Sequence, residues 1–338
     1  METNVELFPT TLPVVATVSV SEEGRQWLAQ LPSLVAELRD RWSLRLGAPI
    51  HGGSCSWVAP VSLPDGEPAV LKVTWPHREA IGEAEGLRLW DGRGAVRLLR
   101  ADPEKLAVVI ERCEPGGTLG DAHHIDPHER LLIGARLLSE LWSVTPPEDS
   151  GFEHSSLERS GFKHGGFKRS GLERTRLERV AALTADWADT AEERMERLRP
   201  DFDPGLVATA VRLLRELPDS ATREVVIHGD FNPGNILSAR RRPWLAIDAK
   251  PMIGDPGYDP WPLLAQIDDP FGHPNPHRVL AERFALVGDV LGEDVRRLMA
   301  WAFAREAESA LWAADHADSP IAHGSIDKAY VFADLAEL

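Results

Sequence analysis

The stretch VIHGDFNPGNILSARRRPWLAIDAKP, residues 226–251, sets an aspartate and an asparagine five residues apart in a polar loop between two apolar runs, with a second aspartate thirteen further on at a strand end. Phosphoryl transfer uses groups of this kind. It needs in-line positioning, one or two Mg2+ ions bridging the phosphates, and a carboxylate to receive the hydroxyl proton. Mg2+ prefers oxygen ligands in octahedral geometry and takes carboxylates and amide carbonyls along with phosphate and water. Asp230 is therefore the candidate base, Asn235 a metal ligand through its amide oxygen, and Asp248, closing WLAID, a second metal ligand. Pro233 and Gly234 supply the turn that lets Asp230 and Asn235 point into one volume.

A second set of groups precedes this loop. Lys72 lies in the strand AVLKV, where its ammonium can hold the α and β phosphates if a helix carboxylate orients it. Glu83 and Glu85 both fall on the following helix, but residues two apart differ by about 200° in direction. Only one can face Lys72, and Glu83 is the expected one. Gly52, Gly53 and Ser54, before the first β-rich run, offer backbone N–H groups to phosphates. Residues 111–116, ERCEPG, with Glu111 and Cys113, would link two lobes and present backbone groups to an adenine ring. Singly, each feature has a plain structural explanation as an edge charge, a turn or a strand cap. Their combination in this order, with the five-residue gap from Asp to Asn, points to nucleotide-dependent phosphotransfer.

The 338 residues, 43 % hydrophobic, are long enough for two lobes. Residues 1–20 read as an N-terminal tail. A helical preface follows from 21 to 44, with Ser21 as cap and Pro32 starting a second helix. A hairpin around Pro-Asp-Gly, a helix over 79–91 and two further strands ending at Pro115-Gly116-Gly117 complete a small β-rich lobe, residues 21–115. Residues 116–338 predict a larger, mostly helical lobe with helices at 127–144, 181–198, 204–217 and from about 277, and strands at 224–228 and 244–248 around the polar loop. The fold class expected is α+β.

Cys55 and Cys113 have no CxxC spacing, which argues against a disulfide framework or a structural zinc site and suits a reducing cytoplasm. The N-terminus METNVELFPTTLPVV lacks the basic start of a signal peptide, and no apolar run approaches the roughly 18 residues of a membrane span. A formal charge of −16 opposes nucleic acid and anionic lipid and favours cations. Within residues 151–180 Phe or Leu recurs every five residues, as GFEHS, SLERS, GFKHG, GFKRS, GLERT and RLERV. Five residues advance a helix by about 140°, so these side chains cannot share a face. The segment reads as a tandemly expanded, basic, exposed insert that is flexible in solution.

The order Lys72, Glu83, HGDFNPGN, AIDAKP resembles the antibiotic phosphotransferases with a protein-kinase-like fold, and most of all the streptomycin 6-phosphotransferase and hydroxyurea kinase group. The likeness extends over WLAQLPSLVAELRDRWSL, GEPAVLKV, GLRLWDGRGAVRLL, WLAIDAKPMIGDPGYDPWPLL and SALW, leaving out the first twenty residues and the pentads. It implies ATP and Mg2+ as cofactors, Asp230 as base, Asn235 and Asp248 on the metal, and Lys72 with Glu83 on the nucleotide. His228 would brace the catalytic loop, and Asp255 and Asp259 would tie that loop to the next helix. The acceptor it implies is a small cationic hydroxyl compound, an aminocyclitol such as streptomycin. A carboxylate-lined pocket drawing on Asp255, Asp259, Gln266, Asp268 and Asp315 would hold it. Members of the group often write HGDLHPGN and IDPKP. Phe231, Asn232 and Ala249 depart from that, as does LWAADHAD, where only Asp315 of the usual two acids remains, beside His316. Two other readings stand: a housekeeping kinase of a sugar or other metabolite, and a nucleotide-binding module that docks a partner through the pentads.

Overall fold

The computed structural model describes residues 6–147 and 177–338. Two helices, α1 (Pro13–Val18) and α2 (Glu22–Trp42), precede β1 (Arg45–Leu46), β2 (Ser56–Ser62), β3 (Pro68–Thr74), α3 (Glu83–Trp90), β4 (Leu98–Asp102) and β5 (Ala107–Glu111). The strands make one antiparallel sheet in the order β1-β2-β3-β5-β4. Successive strand residues alternate between its faces. Ala69, Leu71, Val73, Ala107 and Val109 share a core with Leu31, Val35 and Leu38 of α2. Val108 and Ile110 join Leu87 and Trp90 of α3 on the other side. Lys72, between Leu71 and Val73 and in register with Val108, therefore belongs to the face that looks toward α3.

Two sequence expectations fail in this region. Pro32 does not begin a new helix, because α2 runs unbroken through it, with Ser21 accepting from Gly24 N at 2.9 Å. An interior proline costs about 3 kcal/mol, while Leu31, Val35 and Leu38 are each buried at a gain of about 1.5–3 kcal/mol. The expected tail, where described, is packed structure. Phe8 stacks on Trp57 at 5.6 Å, Trp57 Nε1 donates to Leu7 O at 2.8 Å, and Leu12, Val14 and Val18 are buried. Apolar residues at helical spacing beside an open sheet face are removed from water by folding onto it.

The C-terminal part comprises α4 (Pro127–Trp142), β6 (Glu178–Arg179), α5 (Val180–Leu198), α6 (Pro204–Asp219), β7 (Val225–Ile227), β8 (Ile236–Ser238), β9 (Trp244–Ala246), β10 (Met252–Gly254), α7 (Trp261–Gln266), α8 (Pro276–Leu291), α9 (Val295–Asp315) and α10 (Ser319–Ala336). Strand β10 lies antiparallel to β7 and parallel to β6, and β8 and β9 form a hairpin. Strands β6, β8 and β10, of two or three residues, are too short to show a period and are absent from the sequence reading, whereas the equally short β7 and β9 lie in the apolar runs that bracket the polar loop. Helix α9 packs against α5, α6 and α10, its alanines allowing close approach around the fully buried Trp301. No helix among the described residues is long and apolar enough to cross a membrane.

Most of the pentad segment falls outside the described residues. Its end does not: Leu177 and Val180 are fully buried and Glu178–Arg179 pairs with β10, so the last pentad is core rather than exposed insert.

One apolar core runs from α3 and β5 into the helical part, and polar contacts fasten the two further. Gly116 N and Leu119 N donate to Ser238 O and Ile236 O at 3.0 and 2.8 Å, laying the linker along β8. Arg241, between β8 and β9, donates to the Glu111 carboxylate at 2.9–3.0 Å and to Gly92 O and Ala95 O at 2.8 and 2.9 Å.

Candidate active site

The polar loop leaves β7 at His228. Gly229 follows with φ +82°, and a Cβ there would lie 2.1 Å from Lys250 O, so both the conformation and the space require glycine. Asn232 caps the turn at Pro233–Asn235, its Oδ1 accepting from Gly234 N and Asn235 N at 2.9 and 3.2 Å. The two asparagines then hold Asp230 from both sides. Asn232 Nδ2 donates to Oδ1 at 3.0 Å, and Asn235 Nδ2 donates to Oδ2 at 3.2 Å and to Asp230 O at 3.0 Å.

His228 is fully buried beneath the loop. Its Nδ1 accepts from Asp230 N at 3.3 Å and its Nε2 donates to Ile247 O at 3.0 Å, which fixes the neutral Nε2–H tautomer. Trp90 stacks on the ring at 6.2 Å and Phe231 meets it edge-on at 5.3 Å. Burial lowers the pKa of this imidazole, outweighing the pull of Asp259 and Asp230. The unfolded chain takes up a proton from about pH 6.5 downward, whereas the folded ring resists it. This residue's contribution to stability is thus whole above that pH and is lost as pH falls below it. An NMR titration of the ring nitrogens should find the neutral tautomer persisting well below pH 6.5, and an ordinary imidazole midpoint would contradict the burial argument.

Lys72 Nζ donates to Glu83 Oε1 at 2.7 Å and also to Asp248 Oδ1, joining the sheet, α3 and the end of the β9 segment. Glu83, at the start of α3, is thus the helix carboxylate that meets Lys72. Burial works to lower the Lys72 pKa, but Glu83 and Asp248 outweigh it and the net pKa is raised. Burial raises that of Glu83 against the pull of Lys72, and the Lys72 charge lowers that of Asp248. Asp248 has φ +55°, a left-handed conformation seldom taken by a residue with a side chain and found where geometry serves a site.

The donor set suits Mg2+. Asn235 spends its amide hydrogens on Asp230, which leaves its carbonyl oxygen available to a metal, and Asp248 keeps Oδ2 while Oδ1 accepts from Lys72. Both are hard oxygen donors. No cluster of three or more His, Cys, Asp or Glu disposed to hold a metal occurs among the described residues, so an ion held by Asn235 and Asp248 would need further oxygen ligands from phosphate and water.

Gly52, Gly53 and Ser54 form the turn before β2, where a Cβ on Gly53 would lie 2.5 Å from Ser56 O. Glu111 uses its side chain on Arg241 and Arg97 N. Burial and then Glu111 push the Cys113 thiol up to about 12, so it stays protonated in the linker.

The five expected acceptor ligands are not gathered into one pocket. Asp259 is buried and accepts from His228 N, Gly229 N and Trp142 Nε1 at 2.7, 2.8 and 3.2 Å. Asp255 is equally buried, bound by Arg297 Nε at 2.9 Å, Trp301 Nε1 at 2.6 Å and Gly257 N at 2.9 Å. Asp268 pairs with His273 and Arg283, and Asp315 with Arg194 and Arg197. Gln266 is exposed at the end of α7. The first two were expected also to tie the loop to the next helix, and their side chains are committed to such bonds. For the acceptor the sequence reading considered only residues after the motif, and so passed over Glu79, which pairs with Lys250 at 3.4 Å beside Asp230. It also passed over Lys250 itself, whose Nζ donates to Asp230 Oδ2 at 3.1 Å, although its place two residues past Asp248 was a signal.

The chain matches the model of the aminoglycoside/hydroxyurea antibiotic resistance kinase family over residues 41–159 and 172–317. It is 37 % identical over 292 residues to a streptomycin 6-kinase of Streptomyces glaucescens, covering 86 % of this chain and 85 % of that one. It is 32 % identical over 291 residues to a hydroxyurea phosphotransferase of Kitasatospora aureofaciens, covering 86 % and 75 %. Among solved structures, a thermostable mutant of aminoglycoside phosphotransferase APH(4)-Ia in ternary complex with ADP and hygromycin B superposes with a TM-score of 0.55 at 16 % identity, covering 89 % of this chain and 97 % of that one. The fold is protein-kinase-like.

Proposed function

The chain belongs to the aminoglycoside/hydroxyurea antibiotic resistance kinase family, and from that premise we propose that it moves the γ-phosphate of ATP onto a hydroxyl of a small cationic acceptor, an aminocyclitol such as streptomycin. Its class is settled by the family: a phosphotransferase with an alcohol acceptor. The observation that carries the proposed roles is the Asp230 carboxylate, gripped by Asn232 and Asn235 in a loop that Ile247 N and Lys250 N bind at 2.9 and 2.8 Å, on either side of the Asp248 that completes the Lys72–Glu83–Asp248 chain.

In this reading the acceptor hydroxyl gives its proton to Asp230 as its oxygen bonds to the γ-phosphorus. The bond from that phosphorus to the bridging oxygen breaks, and ADP leaves with the electron pair. Lys72, aligned by Glu83, holds the α and β phosphates. The loop at Gly52–Ser54 covers them with backbone N–H groups, and Glu111 to Cys113 flank the base. Asn235 and Asp248 would hold Mg2+, which supplies charge neutralisation on the phosphates. ADP in the related ternary complex supports a nucleoside triphosphate as donor. The free Cys55 and Cys113, with the need for ATP, support a cytoplasmic place of action.

For the acceptor, the reading rests on the streptomycin 6-kinase relative, on the −16 charge and on Glu79 next to the base. A kinase of another hydroxyl compound is the second reading. It is favoured by Asp315, whose carboxylate is already taken by two arginines, and by the hydroxyurea phosphotransferase relative. Incubation with Mg2+, ATP and streptomycin, other aminoglycosides, hydroxyurea, glucosamine and inositols, read by mass spectrometry, separates the two. Phosphorylated streptomycin is expected, and turnover of a metabolite alone would replace the acceptor while keeping the chemistry.

A further inference from the structure

We propose that Lys250 is a further catalytic residue, whose ammonium contacts the transferring phosphoryl group beside Asp230. This rests on the reading of Asp230 as the base.

The position of Lys250 is dictated by the backbone. Its N donates to His228 O at 2.8 Å, and its carbonyl sits where Gly229 lacks a Cβ, 2.1 Å from the place that atom would occupy. Pro251 next to it is wedged against α3, where added Cβ atoms on Gly82 and Gly86 would come within 3.0 and 2.5 Å of it. The segment from Asp248 to Pro251 is thus clamped between the catalytic loop and the helix that carries Glu83. The side chain, one third exposed, extends from that clamp to Asp230 Oδ2 at 3.1 Å and Glu79 at 3.4 Å.

An ammonium beside a base needs an explanation, because it stabilises the carboxylate before the carboxylate has taken any proton. Lys250 has three donors, of which one is hydrogen-bonded to Asp230 while Glu79 is held as an ion pair, so a donor remains for an oxygen arriving at the same place. That oxygen belongs to the phosphoryl group, because the hydroxyl served by Asp230 and the phosphorus it attacks must meet within bonding reach of its carboxylate. Lys72 is already shared by Glu83 and Asp248, so it is occupied at the other end of the phosphate chain. In the transfer the equatorial oxygens of the γ-phosphoryl group carry charge while the acceptor oxygen bonds to phosphorus and the bridging bond breaks toward ADP. Lys250 donates a hydrogen bond to one of those oxygens and retains its proton throughout, and the acceptor proton goes to Asp230.

The test compares wild type with Lys250→Met and Lys250→Arg by two rates: transfer to streptomycin, and slow Mg–ATP hydrolysis with water as acceptor. Hydrolysis keeps the test valid if streptomycin is the wrong acceptor, since that error abolishes wild-type transfer alone. Lys250→Met is expected to lower the measurable kcat values by about 10²-fold or more, with the Kd for ADP and the Tm near those of wild type. Lys250→Arg, which restores a cationic donor, should recover about half of the loss on a logarithmic scale, about tenfold. A kcat within about threefold of wild type in Lys250→Met overturns the proposal. So does a loss matched by equal loss of ADP affinity or of Tm, because that marks a structural residue.

Discussion

Asp230→Asn is expected to stop turnover, lowering kcat by about 10²–10⁴-fold, while ADP binds nearly as before. The amide is close in shape to the carboxylate and can still accept from Asn232 or Asn235, so the loop should keep its form. What it loses is the capacity to take a proton. The proposed nucleotide contacts run through the Lys72–Glu83–Asp248 chain, whose hydrogen bonds do not involve Asp230. The measurement is kcat for the acceptor found in the panel, with Kd for ADP by calorimetry on the same preparations. Full activity would remove Asp230 from the base role. Loss of ADP binding in step with turnover would make it a structural residue of the loop.

Asp255→Ala is expected to be the most damaging substitution for stability among the acids once considered as acceptor ligands, at about 3–5 kcal/mol. Its carboxylate is 1 % exposed and accepts from Arg297, Trp301 Nε1 and Gly257 N. Removing it leaves the indole N–H of the fully buried Trp301 with no acceptor and takes from Arg297 its charged partner. Arg297 also donates to Ser220 Oγ and Leu217 O, so the loss spreads to the end of α6. Urea unfolding at equilibrium reads the effect. If Asp255 instead bound the acceptor, the variant would keep its denaturation midpoint and show a raised KM.

The residues proposed to carry the chemistry were legible from the sequence by their type. Asp230, Asn235 and Asp248 stand in one short stretch, and a carboxylate base with two hard-oxygen ligands is recognisable wherever a turn brings the groups together. Lys72 and Glu83 were legible for a related reason: a strand and the helix after it are local, and helix geometry limits which of two acids can face one lysine. The long amphipathic helices were legible as well, because three or more turns show their period.

The unpredicted features depend on partners distant in the chain. Pro32 looks like a helix boundary until the sheet that buries Leu31, Val35 and Leu38 is present. The first twenty residues look like a tail until Trp57 gives Phe8 a face to stack on. Asp255 and Asp315 look like free charges until Arg297, Arg194 and Arg197 arrive from other elements. Residue type tells what a group can do, and short-range geometry tells what its neighbours in the chain permit, so the sequence by itself determined the reaction class, the residues proposed as base and metal ligands, and most of the helices. Whether a given charge is spent inside the fold or presented to a substrate was decided only by the tertiary structure. A buried carboxylate must find donors wherever they lie, and here those of Asp255 stand about forty residues away along the chain, on α9.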